Sequence, residues 1–266
     1  MPWIDKLNAQ LYEEYAQAFP MYRELGRKMV EVAGIGPGMT VVDLACGTGV
    51  VTEQIFAKLE DKGKVIGVDR SRAMLEFARN KLPDVEFLEV AVEEVHEVLP
   101  EGSVDVAVCN SAFWQMDVEK AVEAIARVLR PGGRFIFNLN EGYRLVSEPT
   151  TTHLGAIMDQ IAVEEYGYVG PQRQRRRQPI SREASLEEVQ AFLENTALPL
   201  QAHETFEVEH TAESHYVFKK IPVMTEWELA GMDYETRMEI LEKAYERFDK
   251  SFRGVGIWRF YVTVKK

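Results

Sequence analysis

Short apolar runs alternate with amphipathic stretches up to about residue 140 of the chain. The runs are rich in β-branched residues and predict five buried strands, at 40–45, 63–69, 85–90, 103–110 and 134–140. Between them, apolar residues recur at helical spacing, and Ser71 and Asp117 stand where helix N-caps belong. Strands that alternate with helices pair in parallel through right-handed crossovers, so this pattern predicts a doubly wound α/β sheet.

The two ends of the chain follow other patterns. Residues 5–33 have apolar positions at helical spacing until "GIGPG" at 34–38 ends them. Ser185 and Glu188 have the spacing of a capping box and predict a helix start. The elements predicted after residue 140 are an irregular or helical insertion over 141–184, the helix that Ser185 caps, a strand over 201–210, a second insertion over 211–233, a helix over 234–252 and a closing strand over 256–266.

The overall charge narrows the possible partners. The 266 residues carry a net charge of −12, and a surface this acidic repels the phosphate backbone of nucleic acids. The local exception is "QRQRRRQ", with Arg173, Arg175, Arg176 and Arg177, which fits either a solvated loop or a site for an anionic group. We therefore expect no nucleic acid as the main partner.

The apolar runs and the N-terminus predict neither a membrane span nor a signal peptide. No run is long enough to cross a bilayer, and "MPWIDKLNAQLYEEY" lacks a basic region followed by an apolar one. The two cysteines, Cys46 and Cys109, form no metal pattern and no disulfide framework, and we expect free thiols. The expected location is the cytoplasm.

The turn after the first predicted strand carries the candidate chemistry. In "VVDLACGTGVVTEQI" (41–55), Gly47 and Gly49 permit positive φ and let a ligand approach the backbone. The helix that follows offers free N–H groups to an anionic group. Asp43, before the glycines, suits a ligand with an ammonium group better than a pyrophosphate. Thr52 stands where the dinucleotide pattern G-x-G-x-x-G has its third glycine.

A second acid ends the second predicted strand. Asp69 in "VIGVDRS" is placed to accept hydrogen bonds from both hydroxyls of a ribose. A turn or cap residue is the alternative interpretation of both Asp43 and Asp69. Their order along the chain, together with the incomplete dinucleotide pattern, favours a cofactor site.

These segments resemble class I S-adenosylmethionine-dependent methyltransferases. The resemblance rests on "VVDLACGTGVVTEQI", "VIGVDRSRAMLEFARNKL" and "VLRPGGRFIFNL", and it covers roughly residues 25–140. It points to the small-molecule branch that includes the ubiquinone and menaquinone biosynthesis methyltransferases. The family implies an enzyme that uses S-adenosyl-L-methionine, and a Rossmann-like seven-stranded sheet whose last strand is antiparallel.

On this basis we expect the chain to have four parts. They are an N-terminal helical cap over 1–38, a Rossmann-like cofactor-binding core over 39–140, lid insertions over 141–233 with core elements at 185–210, and the last helix and strand of the core over 234–266.

The resemblance also implies a set of cofactor-binding residues. The glycine turn would hold the methionine part, Asp69 the ribose and Met74 the adenine. The N–H of Val92 would bond the adenine ring, although Ala91 replaces an acid that the family often has there. Asn110 would face the sulfonium, or would simply cap the next turn. The full set is Asp43, Ala45, Cys46, Gly47, Gly49, Asp69, Arg70, Met74, Val92, Glu93 and Asn110.

The methyl acceptor stays open at this point. The cofactor carries the activation, so the protein has to align an acceptor and, for phenols or amines, remove a proton. None of the five histidines has metal-ligand spacing. His153, in the first insertion, is the candidate general base, and His210 and His215 flank the start of the second insertion. A surface or packed histidine is the alternative for each.

Aromatic residues are plentiful in both predicted insertions. They predict a small, partly apolar or aromatic acceptor, methylated at O, N or C, under a mobile cover of N-terminal helices and insertions. Three alternatives share parts of these motifs. They are an RNA or protein methyltransferase, which "QRQRRR" favours; a nicotinamide-dependent oxidoreductase, which Asp43 and Thr52 disfavour; and a domain that keeps the cofactor as a structural or sensing ligand. The oligomeric state is not predicted.

Overall fold

The computed structural model describes residues 3–146, 153–170, 180–181, 184–226 and 228–266. The arginine cluster at 173–177 lies outside the described residues. The helices are α1 (Lys6–Ala18), α2 (Met21–Val32), α3 (Val50–Leu59), α4 (Arg72–Lys81), α5 (Val95–Val98), α6 (Val118–Val128), α7 (Leu154–Tyr166), α8 (Leu186–Glu194), α9 (Ala212–Lys219), α10 (Pro222–Glu226) and α11 (Tyr234–Arg247). The strands are β1 (Thr40–Leu44), β2 (Lys64–Asp69), β3 (Glu86–Glu89), β4 (Val104–Cys109), β5 (Leu129–Leu145), β6 (Leu200–Thr211) and β7 (Arg253–Val264).

Polar side chains start several helices where the sequence predicts them. The Ser71 hydroxyl accepts a hydrogen bond from the Met74 N–H and opens α4. Asp117 accepts from the N–H of Lys120 and opens α6. Ser185 and Glu188 form both bonds of a capping box at α8. These caps satisfy N–H groups that have no partner inside the helix, and the three predicted helix starts are confirmed.

The strands form one seven-stranded sheet of order β3-β2-β1-β4-β5-β7-β6. Strands β1 to β5 pair in parallel, and β7 is antiparallel to both of its neighbours, β5 and β6. The predicted fold class is therefore confirmed. The order of the strands reverses between β1 and β4, and the carboxyl ends of these two strands bound the crevice in which α/β sheets of this kind bind ligands.

Strand β5 is longer than the sequence predicts, and β7 starts three residues before its predicted range of 256–266 and ends two residues before the end of that range. The prediction for β5 was 134–140, yet its pairing with β7 runs from Arg134 opposite Val264 to Leu145 opposite Gly254. β4 ends at Cys109, opposite Phe137, so β5 continues past the edge that the first four strands share. At about 3.3 Å per residue, this extension reaches roughly 25 Å beyond that edge. The extension is held by backbone hydrogen bonds to β7, and its side chains do not follow the apolar pattern from which the sequence predicts strands.

Helix packing covers both faces of the sheet. α6 and α8 pack against one face through a cluster that includes Ile125, Phe135 and Leu193, and α2, α3 and α4 cover the other face. A third cluster, with Leu154, Leu241 and Phe252, joins α7 to α11. None of the helices within the described ranges is long and apolar enough to cross a membrane. The cytoplasmic location stays a prediction.

Three polar contacts hold the N-terminal segment over the carboxyl edge of the sheet. Lys81 of α4 forms an ion pair with Glu13 of α1 at 2.7 Å, and the side chain of Glu13 is 6% exposed. The Val223 N–H donates to the Asn8 Oδ1 at 2.9 Å, which joins α1 to α10. The indole N–H of Trp3 donates to the Gln115 Oε1 at 2.8 Å. These contacts fix α1 as part of the roof over the crevice.

A buried arginine joins α11 to α10. Arg237 is 1% exposed, and its Nη1 donates to the carbonyl of Pro222 at 2.7 Å and to the Thr225 Oγ1 at 3.2 Å. Its Nη2 lies 3.0 Å from Glu226 Oε2. Replacing it would leave a buried carbonyl without its donor, which costs far more than losing an exposed ion pair.

We therefore expect Arg237→Met to lower the free energy of unfolding by about 2–4 kcal/mol. Arg247→Met is the matched control on the same helix, because Arg247 is half exposed and pairs with Glu165 at the surface. That variant should lose less than about 1 kcal/mol. Urea unfolding of both variants gives the comparison. Equal losses would show that the buried contacts do not join α10 to α11.

Candidate active site

Three residues of the glycine turn adopt left-handed backbone conformations. φ is +53° at Ala45, +55° at Gly47 and +83° at Gly49, which caps α3. Ser111, just after β4, has a φ of +61°. Ala45 and Ser111 carry a side chain in a region that disfavours one, and such backbone strain concentrates at functional sites. Both residues follow the two strands at which the sheet order reverses.

Asp69 connects the ends of β1 and β2. Its Oδ2 accepts the Gly47 N–H at 2.8 Å and its Oδ1 accepts the Ser71 N–H at 2.8 Å. Burial raises the pKa of Asp69, while the two backbone bonds and Arg70 oppose that rise. A carboxylate oxygen has a second lone pair beyond the one that each N–H uses. Asp69 is therefore able to accept further hydrogen bonds from a ligand.

Asp43 lies beneath the turn. It is 1% exposed, and the Thr52 hydroxyl donates to its Oδ2 at 2.6 Å. Thr52, which replaces the third glycine of the dinucleotide pattern, is thus the partner of this buried acid. The pKa of Asp43 is raised to about 7. Burial is the largest cause, and the nearby Asp69 adds to it, while the hydrogen bond from Thr52 opposes the rise.

The carboxyl edge of the sheet opens into a cavity of about 370 Å³. Eight of the residues predicted for the cofactor line it, namely Ala45, Gly47, Asp69, Arg70, Met74, Val92, Glu93 and Asn110. Asn138 fixes the orientation of Asn110, because its Nδ2 donates to the Asn110 Oδ1 at 2.7 Å and its Oδ1 accepts the Ser111 N–H at 2.7 Å. The glycine turn, Asp69 and the residues that follow β3 thus line one cavity.

The other predicted site residues lie outside this lining. Asp43 and Cys46 are buried, and the Cα of Gly49 faces Ala78 of α4, where a Cβ would come within 3.3 Å. Burial raises the pKa of the Cys46 and Cys109 thiols, so neither is a ready nucleophile. His153 is exposed at the N-cap of α7, with its ring 6.4 Å from that of Phe252. The cofactor role of Asp43 and the general-base role of His153 stay predictions.

The N-terminal segment adds aromatic residues to the cavity beyond the predicted cofactor set. Trp3, Tyr12 and Tyr22 line the cavity. The rings of Trp3 and Tyr12 are 5.9 Å apart edge to face, and those of Tyr12 and Tyr22 are 4.8 Å apart. A Cβ at Gly47 would lie 3.8 Å from the ring of Tyr12, so α1 closes the space above the glycine turn.

The extension of β5, β6 and β7 supplies the far side of the cavity. It contributes Tyr143, His210 and Trp258, and α9 adds His215 and Phe218. Burial lowers the pKa of His210 to about 4. Burial, followed by His210, Lys219 and His153, lowers the pKa of His215 to about 3. Both imidazoles are therefore neutral at neutral pH. The signal in the sequence was "RGVGIW", whose two glycines leave space on one face of β7.

The residues along the cavity fit S-adenosylmethionine. Asp69 presents the oxygens that a ribose diol needs, and the absence of a side chain at Gly47 leaves space below Tyr12. Met74 and Val92 offer apolar surface for an adenine ring. Val92 also opens a 3-10 turn, Val92–Glu94, and the first N–H groups of such a turn have no partner within it.

Comparison with known proteins agrees with this geometry. Residues 42–137 match the family described as a methyltransferase domain. The malonyl-[acyl-carrier protein] O-methyltransferase of Yersinia pestis is 35% identical over 134 residues, 49% of this chain and 48% of that protein. The ubiquinone/menaquinone biosynthesis C-methyltransferase of Shewanella woodyi is 30% identical over 168 residues, 57% of this chain and 66% of that protein. The chain thus spans about half to about two thirds of the length of these relatives.

A solved structure extends the likeness to most of the fold. The YcgJ protein of Bacillus subtilis superposes with a TM-score of 0.57 at 19% identity, covering 91% of this chain and 98% of that one. At this identity the likeness concerns the fold alone.

The raised pKa of Asp43 predicts a pH-dependent gain from its removal. The folded state binds the proton more tightly than the unfolded state, so the contribution of this proton is complete below about pH 4 and is lost as the pH rises through about 7. We expect Asp43→Asn to stabilise the free protein at pH 8, by about 2–4 kcal/mol, and hardly at all near pH 4. Urea unfolding of both proteins between pH 5 and pH 8 measures the difference.

Asp105→Asn is the matched control. Asp105 accepts the Thr40 N–H at 2.8 Å at the opposite edge of the sheet. Burial raises its pKa, but the bond from Thr40 and the ion pair with Arg130 outweigh that effect and hold the pKa below its usual value. Its substitution should therefore destabilise at neutral pH. A gain for Asp43→Asn that is constant from pH 5 to pH 8 would contradict the assignment.

Proposed function

Since residues 42–137 form a class I S-adenosylmethionine-dependent methyltransferase domain, we propose that this protein transfers a methyl group to a small, partly apolar or aromatic metabolite. The predicted family, enzyme class and cofactor agree with the match and with the relatives. The acceptor is our proposal, because the two relatives are named as an O-methyltransferase and a C-methyltransferase and differ in the atom they methylate.

The observation that carries the proposal is the continuity of the cavity. Asp69, at the end of β2, and Trp258, on β7, line the same space, although three strands separate β2 from β7 in the sheet. A cofactor held by Asp69 and the glycine turn therefore leaves room for a second molecule toward β7. Direct methyl transfer needs both reactants in one water-poor space.

The lining on the β7 side suits a partly apolar acceptor. Phe218, Met224 and Trp258 supply apolar surface. Lys219 and Glu228, the charged residues on this side among those the structure describes, form an ion pair with each other. Small-molecule sites combine such apolar walls with a few polar groups, and their volumes start at about 300 Å³.

The roof over the cavity favours a small acceptor over a macromolecule. α1 and α10 meet above the edge of the sheet through Asn8 and Val223, and α9 packs on the same roof through the contact between Phe218 and Tyr15, whose rings are 5.1 Å apart. A long RNA or protein chain would have to displace these elements. The net charge of −12 also opposes RNA.

The residues of this chain bind and orient, and the cofactor supplies the reactive methyl group on its sulfonium. Asp69 would hold the ribose, and Met74 and Val92 would pack on the adenine. Tyr12 would close the space over the methionine part and exclude water. Asn110, held by Asn138, would orient the reacting centre at the end of β4.

Calorimetric titration with S-adenosylmethionine, S-adenosylhomocysteine and NAD tests the cofactor. We expect binding of the first two and none of NAD. Asp69→Asn should weaken binding of S-adenosylhomocysteine about 10- to 100-fold, because hydrogen bonds to a charged group contribute about 1.5–3 kcal/mol. Asp105→Asn, which removes an acid that also holds a backbone N–H but lies at the far edge of the sheet, should bind normally.

Each outcome separates the alternatives. Binding of NAD alone would favour a nicotinamide-dependent oxidoreductase. Unchanged affinity in Asp69→Asn would show that the ribose lies elsewhere. Salt-sensitive binding of RNA would favour an RNA methyltransferase.

A further inference from the structure

Two buried nitrogen atoms, on residues that line the β7 side of the cavity, lack a hydrogen-bond partner among the described residues. They are the Nε2 of His210, a residue 6% exposed, and the indole Nε1 of Trp258, a residue 9% exposed. A buried N–H or imidazole nitrogen without a partner is costly, and in a ligand site it marks a contact that the ligand completes.

The glycines of "RGVGIW" make room for these groups. Gly254 lies opposite His210, and Gly256 lies opposite Tyr143. A Cβ at Gly256 would come within 3.0 Å of the His210 Nε2 and 3.4 Å of the Trp258 Nε1. The two nitrogens therefore both lie beside Gly256, on the face of β7 where the glycine leaves space.

A third polar group borders the same place. The Nε2 of His215 lies 2.8 Å from the Tyr143 hydroxyl. The ring of Tyr143 is 5.0 Å from that of His210 and 5.1 Å from that of His215. β5, β6, β7 and α9 thus bring two imidazoles, a phenol and an indole N–H together on one wall.

Building on the proposed methyltransferase function, we propose that this wall binds the hydroxyl group of an uncharged acceptor, and that Tyr143 and His215 remove its proton during O-methylation. The hydroxyl lies over Gly256, accepts a hydrogen bond from the Trp258 indole and contacts His210 and Tyr143. Tyr143 touches the acceptor and is the catalytic residue, and His215 positions it and receives its proton.

The donor and acceptor capacities of these groups select a hydroxyl. The Trp258 indole N–H only donates, so the ligand atom needs a lone pair, which an ammonium lacks. A neutral imidazole and a tyrosine hydroxyl accept a proton from the ligand, which a carboxylate cannot donate. A hydroxyl does both. On this side of the described lining, Lys219 pairs with one oxygen of Glu228, so the two charges offset each other, although the Glu228 Oε2 has no partner.

The proposed step balances as follows. A lone pair of the acceptor oxygen forms the new O–CH₃ bond, and the C–S bond of the sulfonium breaks with its electron pair on sulfur. The O–H proton moves to the Tyr143 oxygen as the Tyr143 proton moves to the His215 Nε2. The products are the methyl ether and S-adenosylhomocysteine, and the protein holds one proton on His215, which solvent later removes.

A weak base is sufficient for this step. The imidazoles of His210 and His215 are neutral. Burial lowers the pKa of both, and His210, Lys219 and His153 lower that of His215 further. An oxygen that has begun to bond a methyl cation is far more acidic than an imidazolium. The proton therefore transfers late, as the methyl group arrives, and the free hydroxyl does not have to ionise first.

The first experiment measures binding to the protein saturated with S-adenosylhomocysteine. The probes are 4-ethylphenol and its methyl ether, 4-ethylanisole, which has the same apolar body and no donor. We expect the phenol to bind at least about tenfold more tightly, because a site built for a hydroxyl strongly rejects an analogue that lacks it. His210→Phe and Tyr143→Phe, which each remove a group that contacts the hydroxyl, should reduce this preference. Equal affinity of the two probes for the wild type would overturn the proposal.

The second experiment follows conversion of 4-ethylphenol to 4-ethylanisole with S-adenosylmethionine. We expect Tyr143→Phe and His215→Phe to lower kcat by about 10²–10⁴-fold. The loss in His215→Phe should be smaller with the more acidic 2,6-difluoro-4-ethylphenol, because a more acidic hydroxyl depends less on a base. Equal losses with both phenols would mean that His215 has only a structural role. Ring methylation, or binding of the phenol without turnover, would also overturn the proposed step.

His203→Phe is the matched control. His203 lies on the same strand as His210, is exposed, and contacts Arg259 at 2.9 Å. His203→Phe should keep both the preference for 4-ethylphenol over 4-ethylanisole and the kcat of methylation. Titration with S-adenosylhomocysteine distinguishes the two levels of failure. If the protein binds S-adenosylhomocysteine but shows no preference for the phenol, the acceptor site alone is refuted. If the protein does not bind S-adenosylhomocysteine, the proposed function is refuted.

Discussion

The antiparallel pairing of β7 with both β5 and β6 determines the extent of the cavity. The first four strands end at a common edge, as parallel strands with short turns do. β7 enters from the opposite direction and pairs with β5 as far as Leu145 and with β6 as far as Thr211. This ladder satisfies backbone groups that would otherwise need water or a lid, and it builds a wall beyond the edge. Without it the cavity would end near Asn138.

The cofactor side of the cavity concentrates groups that destabilise the free protein. Asp43 is buried and Asp69 is partly buried, and the charge of Asp69 adds to the burial that raises the pKa of Asp43. Ala45 and Ser111 have positive φ, with a cost of order 1–3 kcal/mol each. A cationic ligand relieves the repulsion between the acids, and a ligand that packs on the strained turns stabilises them. Such features are stable only where the surrounding sheet fixes them, and β1 and β4 are central strands.

Local signals made much of the fold and half of the site predictable. Ser71, Asp117 and Ser185 cap helices through neighbours three residues away, so the sequence alone contains the whole interaction. Asp69 and Gly47 follow strands that short apolar runs reveal. The seven-strand arrangement came from family resemblance, because no local pattern specifies which strands pair.

The acceptor side was not predictable in the same way. The position of a histidine in an insertion does not show which way it faces, so the sequence does not distinguish His153 from His215. Strand register places the other groups of this side, since β7 has Gly254 opposite His210 and Gly256 opposite Tyr143. Only the neighbouring strands show that the glycines of "RGVGIW" make space.

The two sides of the cavity also differ in electrostatics, and the difference has a consequence for binding. The side near β1 and β2 contains the buried Asp43 and the partly buried Asp69, whereas on the side near β7 the described charged residues pair with each other and the imidazoles are neutral. A cation is therefore attracted to one side only, and an uncharged molecule gains nothing by competing for that side. A sulfonium bound beside these acids would neutralise them, and the polar groups left toward β7 are neutral imidazoles, hydroxyls and the Trp258 indole, together with the Lys219–Glu228 pair. The acceptor is then oriented by hydrogen bonds alone, which is the condition under which a single hydroxyl can determine how a small apolar molecule binds.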